Sequence, residues 1–322
     1  MSIFAAILTN NIFMNKLHRS LGLTAILLVF MFKTNAQSSQ LFTPADSVAK
    51  IELRYLHPFY KSIEKQGLLS GCYDITISYP INPKWNIQAS IPLLFAKYEY
   101  QDIGYYDPRY SYGGGYGGGY GYGYGFNYDP DIISIKDDAV GNIMIGVQSN
   151  RYFKNNKTFS FDLQLFLPTA AKDGNDALEY ATFANASEFQ KYLGDITSIT
   201  ANGTFASNPS SGWFYALSGG LMYLMGGADS GIDDDLCMRY MLGGGYKVKS
   251  LAFGIDYQGL INLTNDSFDD FRDRMFDVVN IGAHYSFGNF QPSLFYSVYT
   301  RDDLSDIVSG TLGIKLAYRF TK

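Results

Sequence analysis

The side chains of this sequence best able to do chemistry recur at one parity. Glu52, Arg54, Asp74, Asp162, Gln164, Arg239, Asp256, Gln258, Asn280, His284, Lys315 and Arg319 each stand in a stretch where every second residue is apolar. In extended chain such residues share one surface. Charges of both signs and amides on one surface either pair across an enclosed space or line a track for a polar solute. Both readings stay open at this point. A hydrolytic set is not expected: nucleophilic catalysis needs a hydroxyl beside its histidine, and neither His57 nor His284 has an obvious serine partner. Asp233, Asp234, Asp235, Asp266, Asp269 and Asp270 offer oxygen ligands without the spacing of a calcium loop, and read as a solvated acidic surface. No catalytic residue, metal or cofactor is expected.

A second feature is the run YGGGYGGGYGYGYGFNY from Tyr112 to Tyr128, bracketed by Tyr106-Asp107-Pro108 and Tyr128-Asp129-Pro130. It lacks the Lys-Ser or Lys-Thr ending of a phosphate loop. Tyr112, Tyr116, Tyr120, Tyr122 and Tyr124 offer rigid amphipathic rings on a glycine backbone, suited to a loop that gates a mouth or captures a ligand. A low-complexity surface tip with no such role is the other reading.

The elements that carry these residues are strands. YDITISY sets Tyr73, Ile75, Ile77 and Tyr79 against Asp74, Thr76 and Ser78; FSFDLQLFL sets Phe159, Phe161, Leu163, Leu165 and Leu167 against Ser160, Asp162 and Gln164. The same alternation predicts strands over 50–57, 71–80, 84–99, 140–149, 157–168, 193–206, 212–224, 237–247, 250–262, 275–287, 290–300 and 307–320. Mid-strand charges all take the polar parity, and Asp195 and Asp277 break the rule only at strand ends. The apolar parity gathers Tyr79, Trp85, Phe159, Trp213, Tyr246, Phe287, Phe290 and Phe320 beside short turns, as a membrane-interface girdle does. Short connections alternate with long ones at 100–139, 169–192, 225–236 and 263–274. The fold expected is all-β, a closed antiparallel transmembrane barrel of about 12 strands. Such a barrel has a backbone diameter of about 24 Å and a lumen of about 10 to 12 Å. Residues 50–322 would form it, with a Gly/Tyr-rich external loop at 104–130.

Upstream, Lys16 and Arg19 precede an apolar run from Leu21 to Phe32 that is too short to span a bilayer. Thr34 and Ala36 suit signal-peptidase cleavage between Ala36 and Gln37. Residues 1–36 thus read as a signal peptide, with translation starting at Met1 or Met14, and 37–49 as a short periplasmic segment. Loss of Lys16, Arg19 and Lys33 takes the net charge from −5 to −8, which argues against a nucleic-acid partner. The expected partners are outer-membrane lipid and a small-molecule solute, in the outer membrane of a Gram-negative bacterium; the oligomeric state is open. Cys72 and Cys237 fall on opposite sides of a 12-strand ring, beyond the roughly 4.4–6.8 Å between Cα atoms that a disulfide spans. Free or intermolecularly reactive thiols are expected.

Three stretches carry a resemblance: Ile91-Pro92-Leu93, then Gly141-Asn142-Ile143-Met144-Ile145-Gly146, then Leu167-Pro168-Thr169-Ala170. In order and spacing they resemble the outer-membrane barrels named for a phenol meta-degradation pathway, distant relatives of the long-chain fatty-acid and aromatic-hydrocarbon channels. Asn142 and Ala170 depart from that family's Gly-Asp and Leu-Pro-Thr-Gly steps. The resemblance covers 71–170 best, and implies passive uptake of small hydrophobic or aromatic compounds, often with an N-terminal plug. Gln37 to Ala49 is too short to supply a full plug. A surface barrel that transports nothing, with a structural or adhesive role through its loops, is the alternative.

Overall fold

The computed structural model describes residues 48–102, 131–171, 175–207, 209–227, 234–264 and 274–320. Ala36, Gln37, the five loop tyrosines and Asp233, Asp266, Asp269 and Asp270 lie outside the described residues.

In order the chain forms β1 (Ala49–Tyr60), β2 (Ile63–Gln66), β3 (Gly71–Asn82), β4 (Trp85–Asp102), β5 (Asp131–Val140), β6 (Met144–Phe153) and β7 (Lys157–Phe166). Then come helix α1 (Asp176–Ala184), a 3-10 helix (Ala186–Lys191), β8 (Ile196–Ser207), β9 (Gly212–Gly226), β10 (Asp235–Val248) and β11 (Leu251–Asn262). β12 (Met275–Tyr285), β13 (Phe290–Tyr299), α2 (Asp302–Ile307) and β14 (Val308–Phe320) complete it.

Alternating polarity decides which way each strand faces. On β7, Asp162 and Gln164 are 3% and 2% exposed while Phe161 and Leu163 are 40% and 43% exposed. This inverts the soluble rule: oily side chains face out and polar ones face in, as a hydrocarbon surround demands. The sheet closes by antiparallel pairing of β1 with β14, from Ala49↔Phe320 to His57↔Leu312 and beyond. Twelve-fold pairing runs right around the ring, with β4–β6 and β1–β14 closing it; β5, beyond the break, is paired on one side, to β4.

The barrel has twelve staves, the expected number. One is built differently from its sequence prediction, which ran a single strand over 140–149. β4 pairs with β6 up to Ser90↔Met144 and with β5 from Leu93↔Val140, so β5 and β6 are two halves of one stave broken at 141–143. Neither β5 nor the short β2 was expected, because 61–70 and 100–139 carry too little unbroken alternation to separate strand from loop. Short turns fall where expected. That between β6 and β7, Lys154-Asn155-Asn156, places Asn155 and Asn156 at φ 63° and 55°, left-handed conformations that asparagine tolerates.

The main correction concerns 169–192, expected as an external loop. Its described residues turn inward and pack inside the lumen at the end that carries the long connections. α1 is capped by Asn175, whose side chain accepts from Leu178 N at 3.0 Å, and opens with Asp176 and Glu179 at its positive end. Its Ala177, Leu178, Tyr180, Ala181 and Ala184 are buried against Leu56, Cys72, Leu94, Ala96 and Phe295 of the wall. Phe183 and Ala186 join Val278, Tyr299, Leu304 and Val308, while Leu193 and Ile196 join Met222, Leu224, Cys237 and Leu260. A helix apolar on most of its faces is stable only when enclosed, and the barrel encloses it.

Candidate functional site

The inward segment enters through the break in the β5/β6 stave, where the three stretches that carried the family resemblance meet. Gly141 N donates to Pro92 O at 2.9 Å, and Leu167 N to Ile143 O at 2.8 Å. Thr169 Oγ1 accepts from Ile143 N at 2.9 Å and donates to Gly141 O at 2.8 Å. A Cβ on Gly141 would stand 2.4 Å from Lys191 O, so only glycine lets the segment pass this close. Asn142, fully buried, donates through Nδ2 to Gln190 O at 2.9 Å and Leu193 O at 2.8 Å, and accepts through Oδ1 from Ala170 N at 2.9 Å. A carboxylate at this position would have no donor for those carbonyls.

Deeper in, the segment is latched to β1 and β3 by four buried charges. Arg54 donates from Nε to Asp74 Oδ2 at 3.0 Å, and its Nη2 reaches both Asp74 and Glu188. Lys191 Nζ stands 3.0 Å from Asp74 Oδ2 and 3.0 Å from Glu188 Oε2, closing a four-membered ring of alternating sign. Asn185 Nδ2 adds a donor to Glu188 at 2.6 Å. All four charges are more than nine-tenths buried. Burial by itself would raise the Glu188 carboxyl; Arg54 and then Lys191 overcome it and hold the carboxyl well below its usual range. Such a ring adds little net stability over apolar packing, but removing one member leaves a charge uncompensated, which costs about 3–5 kcal/mol. It therefore sets where the segment sits more than how tightly.

Hydrogen bonds to carbonyls of the segment complete the seat. Tyr299 Oη donates to Phe183 O at 2.8 Å, Tyr60 Oη to Tyr180 O, and Arg239 Nη2 to Ser187 O at 3.1 Å. Cys72 lies against Ala181 O, its Sγ at 3.8 Å. Both cysteines are free and buried. The expectation of an unbridged pair holds, but that of an intermolecularly reactive thiol fails, because neither sulfur reaches the surface.

The twelve residues selected as lumen-facing, Glu52 to Arg319, all lie on the inner parity. Arg54 and Asp74 belong to the latch. Below it, Asn280 Nδ2 donates to Asp256 Oδ1 at 2.7 Å, Ser297 donates to Asn280, and Lys315 Nζ stands 3.9 Å from Glu52. Asp162, Gln164 and Gln258 are buried in the wall, and Arg319 is half-buried near the terminus of β14. His284, read as lacking a serine, in fact has one at each ring nitrogen: Ser293 Oγ at 3.0 Å from Nδ1 and Ser286 Oγ at 3.0 Å from Nε2. His57, on the outer parity, is tied to Ser70 O at 2.8 Å and to the Tyr55 hydroxyl at 2.9 Å. Sequence reasoning missed Glu188 and Lys191. The signal was Leu178, Tyr180, Phe183, Phe189, Tyr192 and Leu193, far too apolar a set for a solvated loop.

A small cavity remains between the inward segment and β11–β13, lined by the polar Asn185, Gln258, Asn280 and Ser297 together with Phe295 and Tyr299. Among the described residues no cluster of three or more His, Cys, Asp or Glu is arranged around a metal position.

No protein-family model matches the sequence, and no curated protein does. Among solved structures, the chain is similar to an outer membrane channel from Pseudomonas putida F1 at 12% identity and a TM-score of 0.56, over 89% of this chain and 100% of that one. It is also similar to the NanC porin (6% identity, TM-score 0.47, 84% and 100% covered) and the KdgM porin (8%, 0.43, 84% and 99%). The first of these shares its fold: the chain is a closed twelve-stranded antiparallel β-barrel of the outer-membrane kind.

Proposed function

We propose that this protein is a passive channel for small solutes in the outer membrane of a Gram-negative bacterium, shut at rest by the segment between β7 and β8. Residues 1–36 would be the exported leader, 37–49 a periplasmic tether and 50–322 the barrel, with 104–130 on the external side. One observation carries the reading. The lumen is blocked by a segment seated through side chains, with backbone ties concentrated at the stave break, so it can move without opening the sheet. A barrel built only as a wall would need no buried ring of ion pairs to hold a removable part. The family resemblance implied hydrophobic or aromatic cargo. Many of the buried apolar lumen side chains pack the inward segment, while a second apolar cluster, Phe214, Ala216, Met241 and Ala252, lies apart from it beside the polar groups below the latch.

The test is conductance of the full chain in planar bilayers, compared with a chain in which residues 172–190 are replaced by a short Gly-Ser linker. Wild type should be closed for most of the record and the replaced chain open. A replaced chain that still shows the heat-modifiable gel mobility of a folded barrel, yet conducts nothing, would defeat the channel reading in favour of the surface-protein alternative.

A further inference from the structure

We infer that the route opened by release of the segment runs along the inner faces of β6 to β9, and that it carries small uncharged solutes rich in hydrogen-bonding groups, such as polyols, pentoses and small amides, ahead of hydrocarbons. The inference rests on the channel reading above and adds the wall and the solute class.

The inner face of β8 presents Ser198, Thr200, Asn202 and Thr204, a hydroxyl or amide at every second residue. Its neighbours add polar groups in register, although β9 is otherwise apolar inside, with Phe214, Ala216, Met222 and Leu224. Asn150 on β6, Ser160 on β7, Thr204 on β8 and Ser218 on β9 form one register row; Gln148, Asp162, Asn202 and Gly220 form the next. At Gly220 an added Cβ would come within 2.3 Å of Asn202 Oδ1, so the wall is kept thin where that amide lies across it.

The two sides of the lumen treat the inward segment differently. On the β1–β3 side the latch engages charges of both signs. On the β6–β9 side, both polar atoms of the Asn150 side chain, Ser198 Oγ, Thr200 Oγ1 and Ser218 Oγ find no partner in the protein, although each residue is at least 96% buried; Ser78 Oγ on β3 and Thr311 Oγ1 on β14 are in the same condition on the other side, but such groups are denser along β6–β9. The segment's own Gln190, 1% exposed and held beside the start of β8 through Asn142, is in the same condition at both polar atoms. A buried polar group left unmade forfeits its solvation. Such groups are densest along this wall, and a molecule that both donates and accepts can pair with them. A hydrocarbon restores nothing. Asp162 within the wall on β7 and Arg239 beside it on β10 carry opposite signs, so neither anions nor cations are drawn in as a class.

The experiment is swelling of liposomes holding the segment-replaced full chain, with erythritol, ribose and acetamide as osmolytes and 1-naphthol uptake as the apolar arm. Thr200→Val, close to isosteric, and the double variant Asn150→Leu/Thr200→Val should slow ribose and erythritol entry by about 5-fold or more. Thr311→Val on β14, across the lumen, should leave it unchanged. Equal loss from Thr311→Val, no loss from either wall variant, or naphthol entering faster than ribose would overturn the inference while leaving a conducting channel. A folded replaced chain that passes neither ions nor osmolytes would instead sink the channel reading beneath it. Gel mobility establishes folding for each variant, and Thr200→Val alone decides the matter if the double variant fails to fold.

Discussion

Glu188 is the residue on which the shut state turns. It takes Arg54, Lys191 and Asn185 together, and its removal leaves two cations facing only Asp74. Glu188→Gln should raise the open probability in bilayers at least 10-fold, consistent with a loss of about 3–5 kcal/mol from an interrupted buried pair. Arg54→Met/Glu188→Met, which removes charge of both signs, should restore much of the closure, and a double-mutant cycle on open probability would read the coupling. The pH dependence has a definite sign. A carboxyl depressed in the folded protein contributes fully above its ordinary value of 4.5 and is lost only as pH falls well below it. Acidification from neutral pH to about pH 5 should therefore leave the Glu188 latch shut. Current records that open over that range would place the gate elsewhere.

Among the elements, the broken stave decides how the barrel differs from a plain ring. β5 and β6 would be one continuous strand but for Gly141-Asn142-Ile143, whose backbone and side chains serve the inward segment instead of the sheet. Gly141→Val drives a side chain into Lys191 O and should either expel the segment or block assembly, visible as constitutive conductance or loss of the folded gel band. Asn142→Asp keeps the acceptor for Ala170 N and loses the donors, so it should loosen the segment without unfolding the sheet; protease nicking within 171–192 measures that. At the other end of the segment, Asn175→Ala removes a helix cap and should cost about 1 kcal/mol.

For the molecule as a whole, stability comes from inverted polarity. Ile255, in the middle of β11 and 52% exposed, faces hydrocarbon; Ile255→Arg should destabilise the barrel by about 2–4 kcal/mol in lipid-based unfolding titrations. Trp213, 77% exposed and edge-on to Tyr246 at 5.2 Å, belongs to the girdle at the short-turn end and tolerates water. Cys72 and Cys237 should resist thiol reagents in the folded protein and react only on unfolding, since both lie under the segment or the wall. Mass spectrometry without reduction should show no bridge.

The alternation of side chains by itself determined that this chain is a membrane barrel, how many staves it has, which residues face inward and where the short turns fall. Each of these follows from a period of two residues and a surround that rejects charge, both local in sequence. The girdle positions and the inner set from Glu52 to Arg319 were legible for the same reason. What only the tertiary structure decided was the direction of the 169–192 connection. Glu188 and Lys191 sit 134 and 117 residues from their partners Arg54 and Asp74, and no local period links groups that meet across an enclosed space. A helix and a hairpin partner can each be read from their neighbours, whereas a plug is specified by the shape and charge of a cavity that exists only once the ring has closed.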